Sequence, residues 1–427
     1  YAVYDKSTGQ QEELISGRQF WLNAGISSST LSNASTLSNL GAFNARIMYD
    51  PTSGRWIAAE LTGQSTNNSV LIARSDTSDP TGSWQAVSFL GNAGGSDQFV
   101  DYTSLGVDRN GVYVTTNNFP SNTQGSGFDS ISVFSLPKTD LLQATPTIAN
   151  LTRVDALPTP YGQTLQPVTN FGPALSSTPL LASFPDVGPQ SFLLLSTLTG
   201  TTGPGATFSD NPTTINTATY NDPPSAAQPD GTRSISTIDS RISANVYQVG
   251  NTIYAVHSTI VGSNAAITWL KIDATTNQVI QEGVLSNPNF DYFQASMGVN
   301  ANGDIVIGFT RSGLGAGGNL SDYAVVGHTV GGVTTFGTPF LLQASPVDDY
   351  HYVNGRWGDY TTTVADPSNP NAFWTFQEYA TGSNSWATQI TEILVPEPPA
   401  IVPAAAALAA LGFVVRRRRR GTASRSV

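Results

Sequence analysis

Phe293-Gln294-Ala295-Ser296-Met297-Gly298-Val299 runs into Asn300-Ala301-Asn302-Gly303 and then Asp304-Ile305-Val306-Ile307-Gly308-Phe309. Two short apolar runs flank a turn of Asn and Gly, residues that tolerate left-handed backbone and cap turns through their side chains. Runs this short and rich in β-branched residues read as the strands of a hairpin. The same plan recurs along the chain. Ala45 to Asp50 leads through Pro51-Thr52-Ser53-Gly54 to Arg55 to Glu60, and Tyr102 to Val107 through Asp108-Arg109-Asn110-Gly111 to Val112 to Thr115. Arg241 to Val249 leads through Gly250-Asn251 to Thr252 to Val256, and Asp359 to Val364 through residues 365–371 to Ala372 to Phe376. Third runs follow at residues 69–73, 130–134, 266–270, 323–327 and 386–390.

The hairpins begin near residues 46, 102, 241, 293 and 359, and the wide interval after 102 holds a weaker unit around Thr178 to Ala182 and Ser191 to Ser196. Units of this length, each supplying three or four strands, need neighbours to bury both faces. An all-β propeller over residues 1–394 is the expected fold. It should have six blades, or seven if residues 1–40 or 200–238 form another. A pair of β-sandwiches is the main alternative; a β-helix would need shorter, more even repeats. Residues 200–235, rich in Gly, Pro, Thr and Asn, read as a long surface excursion, and an N-terminal strand is expected to complete the last sheet at residues 372–394.

Ser75-Asp76-Thr77-Ser78-Asp79-Pro80-Thr81-Gly82-Ser83-Trp84 resembles, with altered spacing, the Asp-box turn of sialidase-like propellers. At the other end, Val395-Pro396-Glu397-Pro398 precedes an apolar stretch, Ile401 to Val415, and then Arg416, Arg417, Arg418, Arg419 and Arg420. A helix of that length, extended back to Pro398, comes close to crossing a bilayer, with the arginines held on the cytoplasmic side. The three parts in this order resemble a PEP-CTERM sorting signal over residues 395–427. That resemblance implies an exported protein of a Gram-negative bacterium that makes extracellular polysaccharide. It also implies a membrane-anchored precursor, and an exosortase as the partner that removes the tail and leaves the body at the cell surface or in the extracellular matrix. The chain starts at Tyr1 with no apolar leader after it, which suggests a processed or truncated product.

Composition narrows the functions. There are 19 basic and 30 acidic residues, a net charge of −11, and six of the basic residues lie beyond residue 415. The body is therefore strongly acidic, which excludes a general nucleic-acid binder. The absence of cysteine excludes thiolate metal sites and cysteine catalysis, and three histidines make a His-rich centre improbable. No cofactor motif is present. A structural Ca²⁺ on Asp348-Asp349 or on the Asp/Asn turns is the remaining metal reading.

If the hairpins begin with innermost strands, their first residues ring one mouth of the central channel. Arg46, Tyr102, Arg241, Tyr292, Arg356, Trp357, Asp359 and Tyr360 then form the candidate ligand site. Only ten arginines occur in residues 1–395, and three fall at these starts. Planar guanidinium forks bind carboxylates, and aromatic faces take sugar rings. Three readings stay open: non-catalytic binding of extracellular glycans, a sialidase-like glycoside hydrolase at the same rim, or a scaffold whose arginines form internal ion pairs. For the hydrolase, Asp101, Asp239, Asp291 and Asp359 are candidate carboxylates. The resemblance to sialidases casts Arg46, Arg241 and Arg356 as an arginine triad and Tyr360 as the tyrosine; Glu60, Glu282 and Glu378 show no evident rim position.

Overall fold

The computed structural model describes residues 1–31, 41–63, 68–92, 98–120, 127–185 and 188–395. A two-stranded N-terminal hairpin, β1 (Ala2–Tyr4) and β2 (Gln11–Leu14), precedes the short helices α1 (Gly17–Asn23) and α2 (Ser28–Leu31). The first sheet is β3 (Ala42–Asp50), β4 (Arg55–Thr62), β5 (Ser69–Ser75) and β6 (Trp84–Leu90). The second is β7 (Gln98–Val107), β8 (Gly111–Pro120), β9 (Ser130–Pro137) and β10 (Thr152–Leu157), with the one-turn helix α3 (Lys138–Leu141) between its last two strands.

The third sheet has nine strands. One half holds β11 (Gln163–Thr169), β12 (Ser177–Ser183), β13 (Gln190–Thr199), β14 (Thr207–Phe208) and β15 (Thr213–Tyr220). After the small hairpin β16 (Ala226–Ala227) and β17 (Arg233–Ile235), the other half follows as β18 (Val246–Val249), β19 (Thr252–Val261), β20 (Asn264–Asp273) and β21 (Gln278–Leu285). A fourth large sheet contains β22 (Phe290–Val299), β23 (Ile305–Gly313), β24 (Ser321–Val330), β25 (Val333–Phe336) and β26 (Phe340–Gln343). The chain closes on a three-stranded sheet, β27 (Thr362–Ala365), β28 (Ala372–Gly382) and β29 (Ser385–Leu394).

The expected β-propeller is thus corrected from six or seven blades to four. Four sheets reach the four strands of a full blade. The count drops because β11 and β18 pair in parallel, Val168 with Val246 and Thr169 with Tyr247, and fuse two hairpin units into one sheet. The last unit stops at three strands. The transmembrane sorting helix at residues 401–415 lies outside the described residues, and no helix among those described is long and apolar enough to cross a membrane. Residues 200–235 are more than an excursion, since Ala226, Ala227 and Gln228 are fully buried. The expected N-terminal closing strand is absent among the described residues: β1 pairs with β2 and joins no other sheet.

One device repeats at the inner edge of the sheets. The innermost strand ends on an Asp or Asn whose side chain accepts from backbone N–H groups of the following turn. Asp50 takes Thr52 N, Asp108 takes Asn110 N and Gly111 N, and Asn170 takes Gly172 N. Asn300 takes Asn302 N and Asp304 N, and Asp366 takes Ser368 N. These side chains fix each turn by replacing solvent at orphan donors. Near the start of four of these strands lies a β-bulge holding a non-glycine residue in left-handed conformation: Asn44, Tyr102, Thr164 and Gln294. Left-handed backbone costs roughly 1–2 kcal/mol at such residues. The bulge bends the strand and re-aims its first residues.

Candidate functional site

Around one end of the innermost strands, charged and aromatic side chains from four segments meet. Tyr102 and Tyr360 stand edge to face with ring centroids 5.2 Å apart. The Arg46 guanidinium lies 3.6 Å from the Tyr360 ring centroid, and the Arg241 guanidinium 4.6 Å from that of Tyr102. The Tyr102 hydroxyl donates to the Asp359 carbonyl at 3.3 Å. Arg356 donates to both Asp359 carboxylate oxygens at 2.5 Å. Cation–π contact and charge-assisted bonds of this kind gain strength as water is excluded.

The arginines hold their places differently. Arg46 is buried and donates to two carbonyls, Thr103 O at 2.8 Å and Ser243 O at 2.9 Å. Arg241 forks onto Asp239, with Nε 2.8 Å from Oδ1 and a terminal nitrogen 2.5 Å from Oδ2. Arg356 is the accessible one, its side chain 59% exposed against 18% for Arg241. The ion pairs are local: Arg241 meets a carboxylate two residues away and Arg356 one three residues away. Nor do the three arginines share one position in the repeat. Arg46 lies two residues inside the bulge residue Asn44, aligned with Ser104 and Gln166, whereas Arg356 precedes its strand altogether.

Asp359 is the point on which the charges converge. Burial pushes its carboxyl up, while Arg356, Arg241 and Arg46, in that order, favour the ionised form; burial wins. Asp101 is raised by burial too, although it accepts from Tyr102 N at 2.6 Å and from Asn44 Nδ2. Glu378 on β28 accepts from Gly358 N at 3.1 Å, and burial, with Asp359 nearby, pushes its carboxyl up to about 7. Several carboxyls raised beside convergent arginines form the environment in which acid–base chemistry is tuned. Burial raises the Tyr360 hydroxyl well above its ordinary range, and that oxygen has no hydrogen-bond partner among the described residues.

Two candidates face elsewhere. Trp357 is 1% exposed, packs edge-on against Tyr350 at 4.9 Å and donates to Thr310 Oγ1 at 3.3 Å. Tyr292 is buried against Phe309 in the core of the fourth large sheet. Neither ring offers a free face to a ligand. Sequence reasoning passed over Asn44 and Gln294, which brace the rim through Asp101 and the Gly358 carbonyl. Their signal is positional, six residues before the turn-capping Asp50 and Asn300. Among the described residues no group of three or more His, Asp or Glu side chains is placed to hold a metal. The Asp-box-like segment is a surface turn, in which Asp79 accepts from Thr81 N and Trp84 Nε1 donates to Pro80 O.

No protein-family model matches the chain, and no curated protein does either. Solved structures give a weak likeness to β-propellers, sialidase-like enzymes among them. A protein of unknown function from Dyadobacter fermentans is 11% identical, with 83% of each chain covered and a TM-score of 0.39. The Trypanosoma rangeli sialidase is 10% identical, with 99% of this chain and 61% of that chain covered and a TM-score of 0.38. The α-L-arabinofuranosidase of Lactobacillus brevis is 13% identical, with 73% and 96% covered and a TM-score of 0.39. Likeness at this level identifies neither a family nor an activity.

Proposed function

We propose that the rim around Asp359 binds an acidic glycan and hydrolyses one of its glycosidic bonds. The observation that supports this is Arg46 and Arg241 seated on the rings of Tyr360 and Tyr102 beside the partly exposed Arg356–Asp359 pair. Arg356, exposed and paired with Asp359, swings to the ligand carboxylate and frees Asp359 to take a proton from a water whose oxygen bonds to the anomeric carbon as the glycosidic C–O bond breaks. Glu378, protonated below about pH 7, supplies the proton to the leaving oxygen. Tyr102 and Tyr360 form the wall under Arg46 and Arg241. A tyrosinate nucleophile is not part of the reading, because burial makes the Tyr360 hydroxyl a weaker acid.

Reducing-sugar release from uronic- or sialic-acid polysaccharides tests the reading. Asp359→Asn should lower kcat by at least about 100-fold, the usual scale for acid–base or nucleophilic groups. Activity should fall as pH rises through about 7, when Glu378 loses its proton. A second reading, binding without turnover, is favoured by Arg46 and Arg241 being held by protein groups, Arg46 by two carbonyls and Arg241 by Asp239. Wild-type protein that binds these glycans but releases no sugar would decide for it. With neither binding nor release, the rim would be a scaffold of internal ion pairs.

We also infer that residues 395–427 carry out export and sorting through an exosortase and the membrane. What supports this is the order of Val395-Pro396-Glu397-Pro398, the apolar stretch Ile401 to Val415 and Arg416–Arg420; residues 396–427 lie outside the described residues. Exported protein should end near Val395–Pro398 by mass spectrometry, and exported chains that retain Arg416–Arg420 would oppose processing.

A further inference from the structure

Each of the other large sheets carries at least one strand outside its third: β6, β10, β14 with β15, β21, and β25 with β26. In the last sheet β29 is the outer strand, and among the described residues no strand pairs with its far edge. The ten residues Ser385–Leu394 contain no Lys, Arg or Pro, the devices that ordinarily blunt such an edge. Trp386, Thr388, Ile390, Glu392 and Leu394 share one face and all are exposed, with Trp386 at 52% and Leu394 at 63%. Phe376, directly across from Ile390 on β28, is exposed as well.

We propose that β29 pairs with β29 of a second copy of this chain, antiparallel and centred on Ile390, joining two three-stranded sheets into one of six. The choice of partner follows from the order of side chains. A twofold axis at Ile390 sets Trp386 opposite Leu394 of the other copy, Leu394 opposite Trp386, and Ile390 opposite itself. Thr388 then faces Glu392, so no like charges meet. Parallel pairing in register would instead place Glu392 beside Glu392. Cross-strand aromatic–aliphatic pairs stabilise a sheet, and an isologous contact closes at two subunits without propagating.

The chain has no cysteine, so an introduced one reports a single position. Ile390→Cys in the full chain, held in mild detergent, should give a covalent dimer on mild oxidation, since paired Cβ atoms in such a ladder lie about 4.5–5.5 Å apart. Trp386→Cys alone should not, because its symmetry mate lies roughly 27 Å along the strand. Mixing Trp386→Cys with Leu394→Cys should restore cross-linking. Circular dichroism checks that each variant is folded. Ile390→Cys that stays monomeric, as it would if residues 396–427 folded back over the edge, overturns the proposal. So does equal cross-linking of all the single variants, which would report random collision.

Discussion

Asp322 on β24 is a carboxyl with nothing to hold. It is fully buried, and neither oxygen has a hydrogen-bond partner among the described residues. Burial, and then the nearby Glu378, pushes it up to about 8. The folded chain therefore keeps a proton that the unfolded chain gives up near pH 4, and stability from this residue falls as pH rises from about 4 to about 8. Asp322→Asn should stabilise the protein above pH 8, where it removes a buried charge, with the gain vanishing toward pH 4, where an amide is no better satisfied than the protonated carboxyl. Urea midpoints across that range measure it. Asp50 behaves oppositely. Burial alone would raise it, but Lys138, Ser53 and Thr52 donate to it and hold it low, so its contribution is lost as pH falls through its folded value. With Lys138 2.6 Å away and both side chains buried, Lys138→Met should cost about 3–5 kcal/mol by leaving Asp50 unpaired. Neither residue stood out in the sequence, because a lone Asp in an alternating run shows its face and not what lies opposite.

At the scale of the element, the strands were legible and their register was not. The alternating runs at 45–50, 102–107 and 293–299 fall inside β3, β7 and β22, and the Asn- and Gly-bearing turns sit where expected. The run at Arg241 to Val249 shrank to β18, Val246–Val249, and that at Asp359 to Val364 to β27, Thr362–Ala365. Bulges at Asn44, Tyr102, Thr164 and Gln294 add a residue that no period-2 pattern signals. That is why Arg46 was aligned with Tyr102 when its counterpart is Ser104. Likewise Trp357, beside Arg356 and Asp359 in sequence, turns into the core. Close approach between inner strands is another feature composition hides. A methyl group on Gly106 of β7 would lie 2.6 Å from Pro167 Cβ and 2.9 Å from its carbonyl oxygen on β11. Backbone cannot yield there without parting the two strands. Gly106→Ala should cost about 1–3 kcal/mol, the usual penalty of overpacking, read as a fall in denaturation midpoint with no change in the strand signal of the folded state.

For the molecule as a whole, the N-terminal segment ties the first sheet to the last. Closing a propeller ring calls for an N-terminal strand in the last sheet; the N-terminal segment works instead through side chains. Lys6 pairs with Asp366 at 2.5 Å and lies 5.8 Å from the Trp374 ring, reaching the turn between β27 and β28. Lys6 is more than half exposed, so this link alone contributes little. The stronger tie is on the first sheet. Tyr1 stacks on Phe20 at 3.7 Å, Trp21 and Leu31 are fully buried, and the Tyr1 hydroxyl and Trp21 Nε1 both donate to Glu60 on β4. Burial raises Glu60, and those donors with the N-terminal charge offset part of that cost. Removing residues 1–31 therefore exposes an apolar face of the first sheet and strips a carboxylate of its partners at the same time. Deletion should destabilise the fold by more than about 3 kcal/mol, the scale for losing one buried large aromatic side chain, and promote aggregation. Glu60→Gln in the truncated chain should change stability little, because the deletion that strips Glu60 of its donors also opens its carboxylate to water. In the intact chain the same substitution should destabilise modestly, by about 1–2 kcal/mol, since two donors then lose a charged acceptor. Chemical denaturation of the four proteins measures the difference between these effects. If Glu60→Gln shifted the intact and truncated chains equally, the N-terminal segment would be holding the first sheet through apolar packing alone.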